Sequence, residues 1–398
     1  MGYASGAVLD GALPFGRPDY QSTEPIAFID LKRQYERIGA EVSARIQDVV
    51  ESGRYVMGPV VQELEERLAD YCGVRHAISV SSGTDALFIA LLARGIGPGD
   101  AVLMPGFTFT ATAEVVVLAG ATPVFVDVEP DTFNLCPLDF EAKIERVLAE
   151  GRLTPKAAIV VDLFGQPPDY TRLNAIARKH DLYVIGDAAQ SFGARLENRR
   201  VGGLADVTAT SFYPSKPLGC YGDGGALFTD DDDLAQVLRS VRSHGEGGAR
   251  YDNVRIGVNG RLDAIQAAVL LTKLDLVLDD ELETRAQVAL AYDNALGGAV
   301  ATPHRIPGVR SAWAQYTIKA ADRDGLKAAL ADQSIPTMVY YPKPIHFQPA
   351  YEAYGDGPGS LPVSERLCEE VISLPFHPYI EQHHIERVSG AVRDYLAG

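Results

Sequence analysis

The sequence predicts an α/β fold: a large domain with a mostly parallel sheet between helices, and a smaller C-terminal α/β domain. Three observations predict it. Short apolar runs alternate with helical stretches from about residue 76 to residue 229. Those runs are continuously apolar rather than alternating, as strands covered on both faces are. A long helical stretch near residue 263 is then followed by a second, shorter strand–helix pattern.

Taken in order, residues 1–25 form a Gly/Pro-rich N-terminal extension with no basic start and apolar core of a secretion signal. Leu31, Tyr35, Ile38, Val42, Ile46 and Val49 recur at steps of three and four, which predicts an amphipathic helix ended near Gly53. A second helix is expected over Val60–Cys72. His76–Ser81, Ala101–Met104, Pro123–Val128, Ala157–Leu163 and Leu182–Gly186 read as strands. Gly83–Arg94, Thr110–Leu118 and Tyr170–His180 read as the helices between them. Val207–Tyr213 and Gly225–Thr229 are two further strands flanking a Gly-rich loop.

From Asp263 to Asn294 the pattern is helical almost throughout. Tyr316–Lys319 (strand), Gly325–Ala331 (helix) and Thr337–Tyr341 (strand) suggest the compact second domain. The expected division is residues 26–275 for the large domain and 276–398 for the small one.

Composition narrows the function. Of 398 residues, 46% are hydrophobic and 22% charged, ordinary for a globular protein, and no apolar run reaches the roughly 18–20 residues that cross a bilayer. A net charge of −17 argues against a nucleic-acid partner, which needs a basic surface. The four cysteines are far apart and none has a metal-ligand spacing, so neither a disulfide frame nor a metal site is expected; a reducing cytoplasm fits. The pair His383–His384 sits in a polar segment and reads as a solvated helix surface.

Ligands of parallel α/β sheets sit at the carboxyl ends of the strands, and four such places carry chemistry. Ser81-Ser82-Gly83-Thr84-Asp85 links a strand to an apolar helix. It suits either a plain Ser/Thr cap or a phosphate held on the helix N-terminus. Asp187 follows the strand LYVIG, where a carboxylate needs a cationic partner or a cap. Lys216 lies between two prolines in Ser211-Phe212-Tyr213-Pro214-Ser215-Lys216-Pro217. A loop lysine is usually solvated, but a partly desolvated one has a lowered pKa and is a nucleophile.

Asn259-Gly260-Arg261 opens the long helix, with Arg261 able to fork onto a phosphate or carboxylate and Asn259 able to cap. Gly222-Asp223-Gly224-Gly225 lacks the Lys-Ser/Thr of a nucleotide triphosphatase loop, and no G-x-G-x-x-G follows the first strand.

The order and spacing of these segments, with the blocks FIDLKRQY, SSGTDAL, PGFTFTATA, GDAAQSFGA, SFYPSKPLG, GDGGAL, VNGRLDAIQAA and YYPKPIH, closely resemble the DegT/StrS-type sugar aminotransferases of the fold-type I pyridoxal 5′-phosphate (PLP) enzymes. The resemblance runs from about Ile26 to the C-terminus. It implies that Lys216 carries PLP as a Schiff base and that Asp187 pairs with the pyridine nitrogen. Gln190 would meet the ring hydroxyl. Gly83, Thr84 and Ser211 would bind the phosphate, joined by Asn259 of a neighbouring subunit in a homodimer with shared active sites. Phe107 or Phe109, with Phe109 favoured, would cover one ring face.

The resemblance further implies L-glutamate as amino donor and a nucleotide-linked keto sugar as acceptor. The blocks around Lys216 and Arg261 look most like those of enzymes that aminate UDP-2-acetamido-3-keto-glucuronic acid for surface polysaccharide. Arg261 is then the candidate for the uronate, and Tyr341, Tyr340 and His346 for other sugar contacts. Relatives tend to carry His where this chain has Tyr340, which keeps a dTDP- or GDP-linked 4-keto-6-deoxy sugar as the alternative acceptor. Sugar dehydratases of this fold replace the lysine with histidine, and a non-catalytic homologue would lack Lys216 or Asp187; both residues are present.

Overall fold

In the computed structural model, residues 25–249 and 251–398 are described, so the extension expected over residues 1–25 lies, except for residue 25, outside the described residues. The chain opens with two helices whose ends the sequence dictates. In α1 (Leu31–Ser52) the Asp30 carboxylate accepts the Arg33 N–H at 2.9 Å, and Gly53 closes the helix at φ 66°, a left-handed conformation that favours glycine. Pro59 occupies the first turn of α2 (Pro59–Cys72), where its missing N–H has no intrahelical partner anyway.

Strands and helices then alternate: β1 (His76–Val80), α3 (Gly83–Ala93), β2 (Asp100–Pro105), α4 (Ala111–Leu118), β3 (Thr122–Val126), α5 (Pro137–Glu150), β4 (Thr154–Val161), α6 (Tyr170–Lys179) and β5 (Tyr183–Asp187). A short hairpin, β6 (Arg195–Leu196) and β7 (Arg199–Arg200), precedes β8 (Val207–Ser211), β9 (Gly225–Thr229) and α7 (Asp232–Arg242). Seven of these strands form one sheet in the order β1-β9-β8-β5-β4-β2-β3. β9 runs antiparallel to both neighbours, and the pairs among β8, β5, β4, β2 and β3 are parallel. β1 therefore points the same way as β8, and the carboxyl ends of six strands share one edge.

Strand residues alternate between two apolar layers. In β4, Ala158 and Val160 pack towards α5, α6 and α8 (Ala264–Leu276), while Ala157, Ile159 and Val161 face the layer of α3, α4 and α7. Burial on both faces explains why the strands read as unbroken apolar runs.

The remainder comprises α9 (Leu278–Leu296), β10 (Val309–Arg310), β11 (Tyr316–Lys319), α10 (Arg323–Asp332), α11 (Pro362–Glu370), β12 (Val371–Leu374) and α12 (Gln382–Leu396). A separate apolar cluster lies here, with Tyr292, Trp313, Tyr316 and Phe376 stacked among Val388 and Val392. The helical stretch expected from Asp263 is broken at Val277 (φ −133°, ψ −23°), which separates α8 from α9.

Thr337–Tyr341 is not a strand. Pro336, Pro342 and Pro344 lack the N–H a ladder needs, so the segment pairs only at Met338, which exchanges hydrogen bonds of 3.2 and 2.7 Å with Ser373. The partner of β11 is β12 instead. No helix of the described residues is long and apolar enough to cross a membrane.

Candidate active site

At the shared strand edge, β8 ends at Ser211 and the chain turns into a closed loop. The Phe212 N–H donates to the Gly224 carbonyl (2.7 Å), the Cys220 N–H returns to the Phe212 carbonyl (2.8 Å), and the Lys216 N–H meets the Tyr213 carbonyl (2.9 Å). Lys216 thus sits at the turn of a loop whose ends are tied together. Its amine is partly buried, and burial pushes its pKa down while the Asp187 carboxylate pulls it back up.

Asp187 ends β5, in the middle of the sheet and next to β8. Burial raises its pKa, opposed by the Ala189 N–H (3.1 Å to Oδ1), by the charge of Lys216 and by the Thr112 hydroxyl. An acid and an amine, carried by β5 and by the loop after the neighbouring strand β8, therefore act on one another's charge, and burial strengthens that mutual field.

Beside them, the register places Val80, Gly225 and Ser211 level across three strands. Gly83, opening α3, approaches so closely that a Cβ there would lie 2.6 Å from the Ser211 Cβ and 3.1 Å from its Oγ. The cap and the anion site are compatible readings at this helix start. Ser82 accepts the Asp85 N–H at 3.0 Å and caps α3, and the hydroxyls of Ser81 and Ser82 reach the Asp85 carboxylate. Gly83, Thr84 and Ser211 are left to present N–H and hydroxyl groups at the opening.

Gln190 bridges two segments that the sequence keeps far apart. Its Oε1 accepts the Phe164 N–H at 2.6 Å and its Nε2 donates to the Tyr341 hydroxyl at 3.3 Å. Tyr341 packs between Phe107 and Phe109, with ring centroids 6.1 and 6.3 Å away. Phe107 is core, 1% exposed, whereas Phe109 is 56% exposed at the mouth and is the one with a free face. Tyr340 lies against Tyr341 and Phe28 and is half-buried.

The outer candidates divide. Gly260 ties this chain's segment to the site, its carbonyl accepting the Ser81 N–H (3.0 Å) and its N–H donating to Arg242 (2.9 Å). Asn259 does not cap the long helix, since Asp263 holds that position; it is exposed and pairs through its backbone with Ser243. The Nε of Arg261 is buried with no hydrogen-bond partner among the described residues.

His346 is buried among protein partners. It is 2% exposed, its Nε2 lies 3.1 Å from Glu365, and its ring packs on Phe125. The neighbouring Ile345 N–H is tied to the Gly106 carbonyl, and the His346 ring lies in the contact between this segment and β3.

One residue went unmarked by the sequence reading. Asp162, directly after β4, is fully buried and accepts hydrogen bonds from Tyr170 (2.8 Å) and Ser191 (2.6 Å). Burial pushes its carboxyl up to about 7, against those hydroxyls, and Asp187 adds to the rise. An acid at the carboxyl end of a buried strand, the signal that marked Asp187, also marks Asp162. A cleft of ≈ 1100 Å³ lies at the opposite end of the sheet, lined by Arg94, Lys156, Arg178 and Asp206, and holds none of these residues.

The arrangement fits PLP. A side chain at Gly83 would fill the space between α3 and Ser211, so glycine leaves backbone N–H groups open to a phosphate. The buried Asp187 carboxylate, its pKa raised by burial, suits a protonated ring nitrogen, and Lys216, whose charge acts on it, offers an amine nearby.

Comparison with known proteins agrees along most of the chain. The profile of the DegT/DnrJ/EryC1/StrS aminotransferase family matches residues 36–393. The UDP-2-acetamido-2-deoxy-3-oxo-D-glucuronate aminotransferase of Pseudomonas aeruginosa is 46% identical over 370 residues, covering 92% of this chain and 99% of that protein. The crystal structure of a DegT DnrJ EryC1 StrS aminotransferase from Brucella abortus superposes with a TM-score of 0.92 at 52% identity, covering 94% of this chain and all of that one. DesV of Streptomyces venezuelae, solved with a ketimine intermediate, gives a TM-score of 0.89 at 40% identity over 94% and 99% of the two chains. A sheet edge that brings an acid, an amine and an anion cradle together thus coincides with sequence likeness over nearly the full length, and the chain belongs to the DegT/DnrJ/EryC1/StrS aminotransferase family, whose cofactor is PLP.

Proposed function

We propose that this protein transfers the amino group of L-glutamate to UDP-2-acetamido-3-keto-glucuronic acid, as a cytoplasmic homodimer serving surface polysaccharide synthesis. The observation that carries the catalytic part is the mutual influence of Asp187 and Lys216 from two strand ends. Likeness to the Pseudomonas enzyme supports the acceptor. The exposed apolar side chains Phe109 and Tyr213, with Val254 and Ile256 in the segment that precedes Asn259, support a second copy of the chain, with Asn259 reaching the partner's phosphate site.

PLP, when bound, supplies an electron-withdrawing ring that stabilises negative charge on the reacting carbon. The protein does the rest. Asp187 holds a proton at the ring nitrogen, because a buried carboxylate gains most from a cation beside it. Gly83, Thr84 and Ser211 bind the phosphate, and Gln190 orients the ring through its hydroxyl. Phe109 covers a ring face and excludes water. The Lys216 amine, already lowered in pKa, would take the proton from the donor's carbon and return one to the cofactor carbon, and would run the same transfer in reverse to the acceptor's carbon, so no second base is needed. Arg261 would receive the uronate through its unpaired guanidinium, and Tyr341 and Tyr340 would line the sugar side.

The test is an amino-transfer assay with glutamate against three acceptors: the UDP-linked 3-keto uronate, its counterpart without the carboxylate, and a dTDP-linked 4-keto-6-deoxy sugar. The proposal expects the highest kcat/KM for the uronate. Preference for the deoxy sugar would transfer the assignment to that class, as Tyr340 in place of histidine allows.

A further inference from the structure

Helix α8 grips the loop that carries Lys216 at two points. The Lys273 ammonium, only 2% exposed, donates to the Gly219 carbonyl at 2.5 Å and lies 4.7 Å from the centroid of the Tyr221 ring. Two helical turns nearer the N-terminus, on the same face, Gln266 holds the Tyr221 backbone from both sides: its Oε1 accepts the Tyr221 N–H (2.8 Å) and its Nε2 donates to the Tyr221 carbonyl (3.3 Å). Gly219 is three residues from Lys216, and a Cβ there would lie 2.5 and 2.7 Å from the carbonyls of Pro214 and Tyr213. The far arm of the loop is thus pressed onto the near arm, with Lys216 between.

A buried ammonium is costly unless compensated. Glu281 is the acid that acts on Lys273, but its carboxylate is already hydrogen-bonded by Gln34 (2.9 and 3.1 Å) and Tyr379 (2.6 Å). The hydrogen bond of Lys273 goes to a loop carbonyl instead. Burial holds its amine down at about 8. Packing alone would be served better by an apolar side chain of the same length, so the cation's position calls for a different account.

We infer that Lys273 and Gln266 are positioning residues that clamp the 219–221 segment and thereby hold Lys216 in its partly desolvated place opposite Asp187. Resting on the reading of Lys216 as the reacting amine, the inference adds what fixes that amine. Releasing either clamp loosens the loop and admits water around the Lys216 nitrogen, whose charged form then becomes easier to keep.

The experiment uses full-length protein loaded with PLP and reads the pH midpoint of its visible absorbance change, which follows the charge on the nitrogen contributed by Lys216. Asp187 is the charged group that acts on Lys216, and Tyr341, Asp162 and Tyr170 are the titratable groups coupled to Asp187 in turn; all stay in place. Lys273→Met is expected to raise the midpoint by about one unit, a tenfold change in the proton equilibrium, and Lys273→Arg to restore it.

Removing a positive charge would itself raise the midpoint, so the neutral variant Gln266→Leu decides the cause. A rise of about half a unit in Gln266→Leu supports clamping. An unchanged midpoint there, whatever Lys273→Met does, overturns it. Gln266→Leu also decides the case if Lys273→Met does not fold. Borohydride capture of PLP on a lysine other than 216 in the unaltered protein would instead refute the reading on which the inference rests.

Discussion

Gly83 and Ser211 touch across the end of the sheet, one opening a helix and the other closing a strand, with no room for even a methyl group between them. Gly83→Ala must therefore push α3 away from β8. Overpacking of this kind costs about 1–3 kcal/mol, and the displaced N–H groups lose their aim. Equilibrium dialysis is expected to show PLP affinity at least ~10-fold weaker, or about 1.4 kcal/mol. Ser211→Gly combined with Gly83→Ala removes the Cβ that the methyl meets, and the double variant should recover part of the loss.

Asp187→Asn keeps the shape and removes the charge. Turnover is expected to fall by about 10²-fold or more, in the range of lost proton-holding groups, while PLP remains bound through its phosphate. In the cofactor-free protein the same change removes the charge that raises the Lys216 pKa. The Lys216 amine should then titrate lower than in the unaltered chain, read by the pH dependence of its chemical labelling.

Arg261→Gln tests the sugar side. If the unpaired guanidinium receives the uronate, KM for the 3-keto uronate should rise by roughly 10-fold or more, the scale of a lost charged hydrogen bond. KM for the same sugar without its carboxylate should barely change. Equal losses on both acceptors would place Arg261 on a group common to them.

Asp162 links stability to pH in a direction opposite to that of a salt-bridged acid. Its folded pKa is raised to about 7, against about 3.9 in an unfolded chain. Between those values the folded protein binds more protons than the unfolded one. Stability therefore falls as pH rises from about 4 to about 7, by up to ~4 kcal/mol. Asp187, also raised, adds to the same slope. Thermal melts across that range should show a shallower decline for Asp162→Asn, with its largest gain over the unaltered protein above pH 7.

The parts legible in the sequence are those where one short-range rule decides. Continuous apolar runs marked β4 and β5 because both faces are covered, and Gly53 marked the end of α1 through its backbone freedom. The same local logic singled out Lys216 between prolines and Asp187 after LYVIG as candidates. Thr337–Tyr341 failed because its β-like composition conflicts with the prolines around it, and backbone donors outrank propensity.

The surroundings of His346 were illegible for another reason. Its fate depends on Glu365 and Phe125, contacts that sequence spacing does not reveal. Gln266 and Lys273 were invisible for the same cause, since their partners are backbone atoms some 45 and 54 residues away.

The most direct measurement is borohydride reduction of the PLP-loaded protein followed by a peptide map. The account predicts a single cofactor label on Lys216, in the peptide spanning SFYPSKPLG. A label on any other lysine, or protein that takes up no PLP, would contradict it.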